Sequence, residues 1–241
     1  MRARGRVGLV AMVVTAVTQA VTLSIVSPAG AAVTTTIALY EMNEPAGSTV
    51  LVDSSGSGLN GTIGSEVLAG TVVMGATAHR FQYLQPNTPP AHPGHLDSVP
   101  NTSKLDPGTA DYAVTMRVRW TNNFGNMIQK GQSGGAGGYF KWEAPSGVVH
   151  CLFRDTNRIS KTASSKTPLN DGQWHTIRCE RTAAGVTMTV DGVKRSMAKG
   201  KTGSISNAKP LTIAGKGTCD QITVTCDYFV GDVDWVRVEK G

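Results

Sequence analysis

The glutamates are the first place to look for chemistry. Glu41 and Glu44 stand three residues apart at the end of an apolar stretch, and Glu143 and Glu180 stand singly. Glycoside hydrolysis needs two carboxyl groups flanking one bond, one giving a proton and one attacking or activating water. These positions do not supply such a pair on a strand. Gly131-Gln-Ser133-Gly-Gly135 satisfies G-x-S-x-G, but a nucleophile elbow needs a strand before it and a helix after it. Further glycine and then a strand pattern follow, so the segment reads as a flexible hairpin loop. His92-Pro-Gly-His95-Leu-Asp97 gathers three ligand types in a short span. A zinc site fixes its spacing on a helix or turn and adds a fourth ligand, so this run reads as an exposed loop. His150 and His175 fall on strand patterns, where packing or hydrogen bonding is the ordinary role.

Binding chemistry is better represented. Calcium takes several oxygen ligands, and the loop from Asp53 to Asn60 is rich in them. A structural calcium on Asp53 and Asn60 is expected there, against the competing reading that Asp53 caps its own turn. Sugar sites combine a ring stacked on a pyranose with polar groups on its hydroxyls. Tyr139 and Trp142 are the first candidates, with Tyr83 and Trp235 beside them. Alternation along Tyr139–Glu143 puts Tyr139 and Trp142 on opposite faces, so one of the two is expected to be exposed. Arg154, Arg158, Lys161 and Lys166 lie among Ser and Thr in one segment. They could meet an acidic polysaccharide or form only a solvated face.

The elements that must position these groups are strands. Tyr112, Val114, Met116, Val118 and Trp120 alternate with Thr115, Arg117 and Arg119, as in a half-buried antiparallel strand. Comparable patterns cover 37–42, 71–74, 80–84, 127–129, 139–143, 148–154, 175–181, 186–190, 211–214, 222–225 and 228–238. Gly, Pro, Asn, Asp and Ser separate them, and long helical periodicity is absent. Many short strands joined by turns predict an all-β sandwich or barrel. Two segments, 85–100 and 154–168, read as long surface loops, where function usually sits.

The first 31 residues read as a cleavable secretory leader: Arg2, Arg4 and Arg6, a largely apolar stretch, then Pro28 and Ala29-Gly30-Ala31. Residues 32–241 then form one domain, expected outside the cytoplasm, with no membrane span of its own. Removing the three arginines lowers the formal charge from +6 to +3, which does not argue for nucleic acid. Four cysteines in an exported chain invite disulfides. Of the three possible pairings, Cys151–Cys179 with Cys219–Cys226 is preferred, because it joins neighbouring strand patterns and a local loop.

Four segments, taken in order, resemble one family. They are Asn43 to Gly61, Leu105 to Thr115, Asp171-Gly-Gln-Trp-His175 through Val186-Thr-Met-Thr-Val-Asp-Gly192, and Tyr228-Phe-Val-Gly-Asp-Val-Asp-Trp-Val-Arg-Val238. The chain is similar to the laminin-G-like, concanavalin-A-like β-sandwiches. The resemblance implies a jelly roll of two antiparallel sheets, Trp174 held between them, and a structural calcium as in related sandwiches. It also implies a secreted, monomeric, non-catalytic module that binds a polysaccharide or cell-surface glycan, an acidic one by the sign of the charge. Trp235 departs from the acidic residue common at its place. A polysaccharide-degrading enzyme, hydrolase or lyase, is the alternative. Tyr139-Phe-Lys-Trp-Glu143 resembles a strand of alginate-lyase-like sandwiches, but their R-x-E-x-R and Q-[IV]-H strands are missing. A structural protein-interaction domain is the third reading.

Overall fold

A computed structural model describes residues 35–83, 93–217 and 227–241. The stretch expected to be a leader, Cys219, Cys226, His92 and the strand pattern at 222–225 lie outside the described residues. No helix among the described residues is long and apolar enough to cross a membrane.

The strands are β1 (Thr35–Tyr40), β2 (Val50–Leu51), β3 (Gly61–Thr62), β4 (Val67–Val73), β5 (Ala76–Phe81), β6 (Asp97–Val99), β7 (Tyr112–Arg119) and β8 (Asn126–Lys130). Then come β9 (Tyr139–Glu143), β10 (His150–Arg154), β11 (Ser160–Ser164), β12 (His175–Thr182), β13 (Gly185–Val190), β14 (Val193–Lys199), β15 (Leu211–Ile213) and β16 (Gly231–Lys240). One sheet runs β14-β13-β12-β7-β16-β5-β4, with β1 also on β16; the other runs β11-β10-β9-β8-β15-β6-β3-β2. The strand pairs are antiparallel, so this is a two-sheet antiparallel sandwich, as the alternation predicts.

The core follows strand parity. Tyr112, Val114, Met116 and Val118 of β7, and Trp120 just after it, are all at most 2% exposed. Across the gap, Phe140, Trp142, Cys151 and Phe153 of the facing sheet are fully buried. Cys151 and Cys179 are disulfide-bonded. They sit on β10 and β12, which belong to opposite sheets, so the bond crosses the core and does not link neighbours within a sheet. In the chain-entropy picture, closing this loop stabilises the fold by about 3.5 kcal/mol.

A polar pin also joins the sheets. His79 of β5 has Nδ1 2.8 Å from Asp97 of β6 and Nε2 2.9 Å from Glu44 of the opening loop. All three are buried. Burial alone would lower the His79 pKa, but the hydrogen bonds to Asp97 and Glu44 outweigh it and raise it to about 9. The exposed loop expected around His95 and Asp97 is therefore corrected. His95, Leu96 and Asp97 are buried, and 97–99 is a strand whose carboxylate meets an imidazole.

The second expected loop is also a strand pair. Arg154 and Ser160 end a β10–β11 hairpin, and Ser164 closes β11. The DGxWH motif has its own local logic. His175 places Nδ1 2.8 Å from Asp191 and Nε2 3.2 Å from Asp171, tying the two ends of the β12–β13 hairpin. Trp174, expected between the sheets, is not there. Ile177 and Cys179 point inward, so Thr176 and Arg178, and with them Trp174, belong to the outer face. Its indole N–H donates to the Val73 carbonyl at 3.3 Å. The Arg117 guanidinium lies 4.8 Å from the ring centre.

Candidate functional site: a cationic cleft at one end of the sandwich

Two hairpin turns meet at one end of the molecule, the β8–β9 turn and the β10–β11 turn. Between them lies a cleft of about 490 Å³ walled by Ser133 to Gly138 on one side and by Arg154, Asp155, Thr156 and Arg158 on the other. Tyr139 forms part of its lining. The formal G-x-S-x-G is thus one wall of a hairpin turn and is followed by a strand, not a helix.

Glycine makes this wall possible. A Cβ on Gly137 would lie 1.9 Å from the Ser206 carbonyl oxygen, and one on Gly138 would lie 2.5 Å from the Arg154 carbonyl oxygen. Side chains would push the turn off the neighbouring backbone. The facing turn is fixed by Asp155, only 2% exposed. Its Oδ1 accepts the Asn157 and Ile159 N–H groups, each at 2.9 Å, and its Oδ2 accepts the Gly203 N–H at 2.6 Å. Three backbone donors on one carboxylate hold the turn that presents Arg158, which takes a left-handed φ of 67°.

Behind this turn Arg181 is 2% exposed. It donates to the carbonyls of Pro107, Gly108, Ala110 and Gly203 and has no ion-pair partner among the described residues. Burial holds its pKa below the usual arginine value. Arg154 and Arg158 also lack a carboxylate partner among the described residues. The cleft is therefore a polar pocket with positive groups at its rim and behind its floor. Its physical capacity is to hold an anion or an acidic polyol.

The candidates named from sequence separate in space. Arg154, Arg158 and Tyr139 come together at the cleft. Trp142 does not: its ring is fully buried between the sheets and cannot stack on a ligand. Tyr139 does point to the other face, but it is only 6% exposed, because the turn at Gly131 lies against it. The expectation that one of these rings is open to solvent fails for that reason. Tyr83 is the exposed ring of the four, at 61%, beside a shallower depression with Arg80 and Arg119. Trp235 is half-buried next to Arg237. Lys161 faces the edge of the sandwich near Gly200. Lys166 lies beyond the far end of β11, separated from Arg158 by the length of that strand.

Asp53 and Asn60 meet each other without forming a cation cage. Asp53 accepts N–H groups of Leu39, Ser55 and Leu59 at 3.0, 2.9 and 2.9 Å. Asn60 accepts the Asp53 N–H at 2.8 Å. Burial would raise the Asp53 pKa, but these donors hold it below the usual carboxylate value. Asp53 is the cap of its loop, and no cluster of three or more His, Cys, Asp or Glu side chains that could hold a metal ion stands beside it among the described residues. The glutamates are likewise apart. Glu44 bonds His79, Glu143 bonds Lys141, and Glu180 bonds Arg178.

Sequence reasoning missed four cations. Lys194, Arg195, Lys199 and Lys201 fall within eight residues and are all exposed. None has a carboxylate partner among the described residues. The charge run was visible as a pattern, but only the fold ties the segment that follows it to the cleft turn.

An antiparallel two-sheet jelly roll with loops gathered at its ends is a concanavalin-A-like sandwich. Residues 121–240 match the laminin G domain family. The chain carries a laminin-G-like domain, as the four sequence segments implied. Among solved structures it is similar to domains LG4-5 of the mouse laminin alpha1 chain, with a TM-score of 0.52, 20% identity, and coverage of 74% of this chain and 46% of that one. The binding domain of Paraclostridial Mosquitocidal Protein 1 gives a TM-score of 0.58 at 11% identity, covering 86% and 48%. The ligand binding domain of botulinum neurotoxin serotype D, crystallised with N-acetylneuraminic acid, gives 0.58 at 14% identity, covering 86% and 47%. The chain thus spans about half the length of the solved chains it matches. No curated protein matches it in sequence.

Proposed function

We propose that this is a non-catalytic binding module that works outside the cytoplasm and holds an acidic glycan at the cleft between the β8–β9 and β10–β11 turns. One observation carries the reading. Arg154 and Arg158 flank a polar, glycine-walled cleft, and neither is neutralised by a carboxylate among the described residues. The buried Arg181 behind the cleft faces the charge of Asp155 in the cleft lining, which leaves Arg154 and Arg158 as the source of the positive field. Backbone groups of the glycine turn supply hydrogen bonds for hydroxyls, and the arginines pair a carboxylate or sulfate. A neurotoxin domain of the same fold, crystallised with an acidic sugar, supports this choice of ligand class. The apparent leader and the core disulfide support an oxidising compartment.

The test is calorimetric titration of the full chain with a galacturonate oligomer and with its fully methyl-esterified counterpart, which keeps the sugar backbone but removes the charge of each carboxyl. The parent is expected to bind the acid form and ignore the ester. Arg154→Ser with Arg158→Ser should weaken binding at least tenfold, about 1.4 kcal/mol, with an unchanged melting temperature. Equal binding of acid and ester would overturn the acidic reading. Release of unsaturated or shortened sugar would overturn the non-catalytic one.

A further inference from the structure

The geometry points to a second, elongated contact along β14. The ligand would then be an acidic polymer bound over several units, not a single terminal acidic sugar. This rests on the acidic-glycan reading of the cleft and adds a length requirement to it.

Among the described residues β14 is an edge strand of its sheet and pairs with β13 alone. Lys194 stands opposite Thr189 and Lys199 opposite Gly185. Lys194 and Lys199 are about 16 Å apart along the strand at the usual rise per residue. Arg195 lies beside the bulge that interrupts this pairing, and Lys201 continues the run past the strand end.

The run leads into the cleft. The Gly203 N–H bonds Asp155, and the Thr156 N–H bonds the Ser204 carbonyl at 3.0 Å. The segment following β14 is therefore fastened to the turn that carries Arg158. A Cβ on Gly200 would lie 3.1 Å from Lys161 Nζ, so Lys161 of the opposite sheet joins the same corner. Higher up, Ser164 and Ser196 exchange two 2.7 Å hydrogen bonds that seal the sheet edges together. Lys199, Lys201 and Lys161 thus lie at the corner next to the cleft turn, and Lys194 and Arg195 continue the run to the far end of β14.

Cations on an edge strand also discourage pairing with another chain. That role needs charge on β14 alone and does not account for Lys161 and Arg158 converging from the other sheet. The opposite edge strand is left without any such guard: β4 exposes Leu68 and Val72 and relies on a bulge. Crowding like charges on one corner destabilises the folded chain. A polyanion lying along the run relieves that repulsion; Asp155 in the cleft lining already gives its oxygens to three backbone N–H groups.

The experiment measures affinity of the full chain for galacturonate oligomers of increasing length, at low and moderate salt. Three proteins are compared: the parent, Arg154→Ser/Arg158→Ser, and Lys194→Ser/Arg195→Ser/Lys199→Ser/Lys201→Ser. Parent affinity should rise at least tenfold from the shortest oligomers to those longer than the run, and the gain should shrink with salt. The β14 variant should bind short oligomers like the parent but lose the length-dependent gain, with its melting temperature unchanged. The cleft variant should lose short and long oligomers alike. If parent affinity is independent of length, or the β14 variant keeps the gain, the second contact is wrong and the cleft reading stands. If the parent binds no acidic oligomer of any length, the cleft reading falls and takes this inference with it.

Discussion

Two surfaces of this sandwich treat their arginines and lysines in opposite ways. On the outer face formed by β5, β7, β12 and β16, the cations are matched. Arg80 and Arg119 share Asp232, Arg117 holds Asp234, and Arg178 and Arg237 meet Glu239. At the corner formed by β10, β11 and β14, Arg154, Arg158, Lys161, Lys194 and Lys199 have no such partner. The matched face is internally neutralised and has little pull on an outside charge. The unmatched corner carries positive charge in a chain whose formal net charge is +6. Charge number alone does not make a binding surface; charge without an internal partner does.

The comparison can be sharpened by variants that should change stability without touching binding. The largest effect is expected at the buried pin. His79→Gln leaves two buried carboxylates without their cation and should cost about 3–5 kcal/mol in denaturant unfolding. The pH dependence follows from the same contacts. The His79 pKa is raised from 6.5 to about 9. Its stabilisation is therefore complete below about 6.5 and is lost as pH rises through about 9. The Glu44 pKa is lowered from 4.5, because the His79 and Val52 hydrogen bonds outweigh burial. Its contribution is present above 4.5 and is lost as pH falls through the depressed value. In Asp97 burial wins and the pKa is raised, which opposes the stabilisation from ionised Glu44. A parent stability curve that is flat between pH 6.5 and 9 would remove the charged histidine from the account.

Next comes the core disulfide. Cys151→Ala with Cys179→Ala should lower stability by about 3.5 kcal/mol, while the folded fraction keeps its affinity for an acidic oligomer. Asp155→Ala tests the join between the two roles. It orphans three backbone N–H groups and should cost about 1–3 kcal/mol. It should also weaken ligand binding, because the Arg158 turn loses its anchor. Unaltered affinity in this variant would place the ligand away from the β10–β11 turn.

Smaller effects follow on the surface. Trp174→Ala should cost about 1 kcal/mol, the loss of a half-buried ring and one hydrogen bond, and not the 3–5 kcal/mol of a core aromatic. Arg117→Ser removes one half-exposed ion pair and should cost under about 1 kcal/mol with no change in ligand affinity. Arg154→Ser should show the reverse pattern, weaker binding with stability within about 0.5 kcal/mol of the parent. If Arg117→Ser weakens binding as much as Arg154→Ser does, the division between matched and unmatched charge fails.

The sandwich was legible because its central strands carry their burial pattern locally. β7, β12, β13 and β16 each alternate inward and outward residues, and that parity can be read from neighbours in sequence. The same parity places Trp174 on the outer face with Thr176 and Arg178, so its misplacement came from following the family motif and not from a missing signal. β11 and β14 were not legible. Ser160–Ser164 buries one residue fully, and Val193–Lys199 buries none. An edge strand has a free side and needs little apolar surface to stay in place, so it leaves a weak pattern. β11 follows the turn that walls the candidate cleft, and β14 leads into the segment fastened to that turn.

Residue type and alternation, then, determined an all-β sandwich, the strands of its core and the presence of unassigned positive charge. Tertiary structure alone decided which charges are answered. Arg119 finds Asp232 across 113 positions, and Lys130 meets Asp106 at 2.6 Å inside the fold, while Arg154 and Arg158 meet no acid among the described residues. It also decided that Tyr139 is roofed by a glycine turn and that Asp53 spends its oxygens on backbone N–H groups. The reason is one of range. Inward or outward is set by the next residue along a strand, whereas a charge or a ring acquires its partner from whichever distant segment the sheets bring beside it.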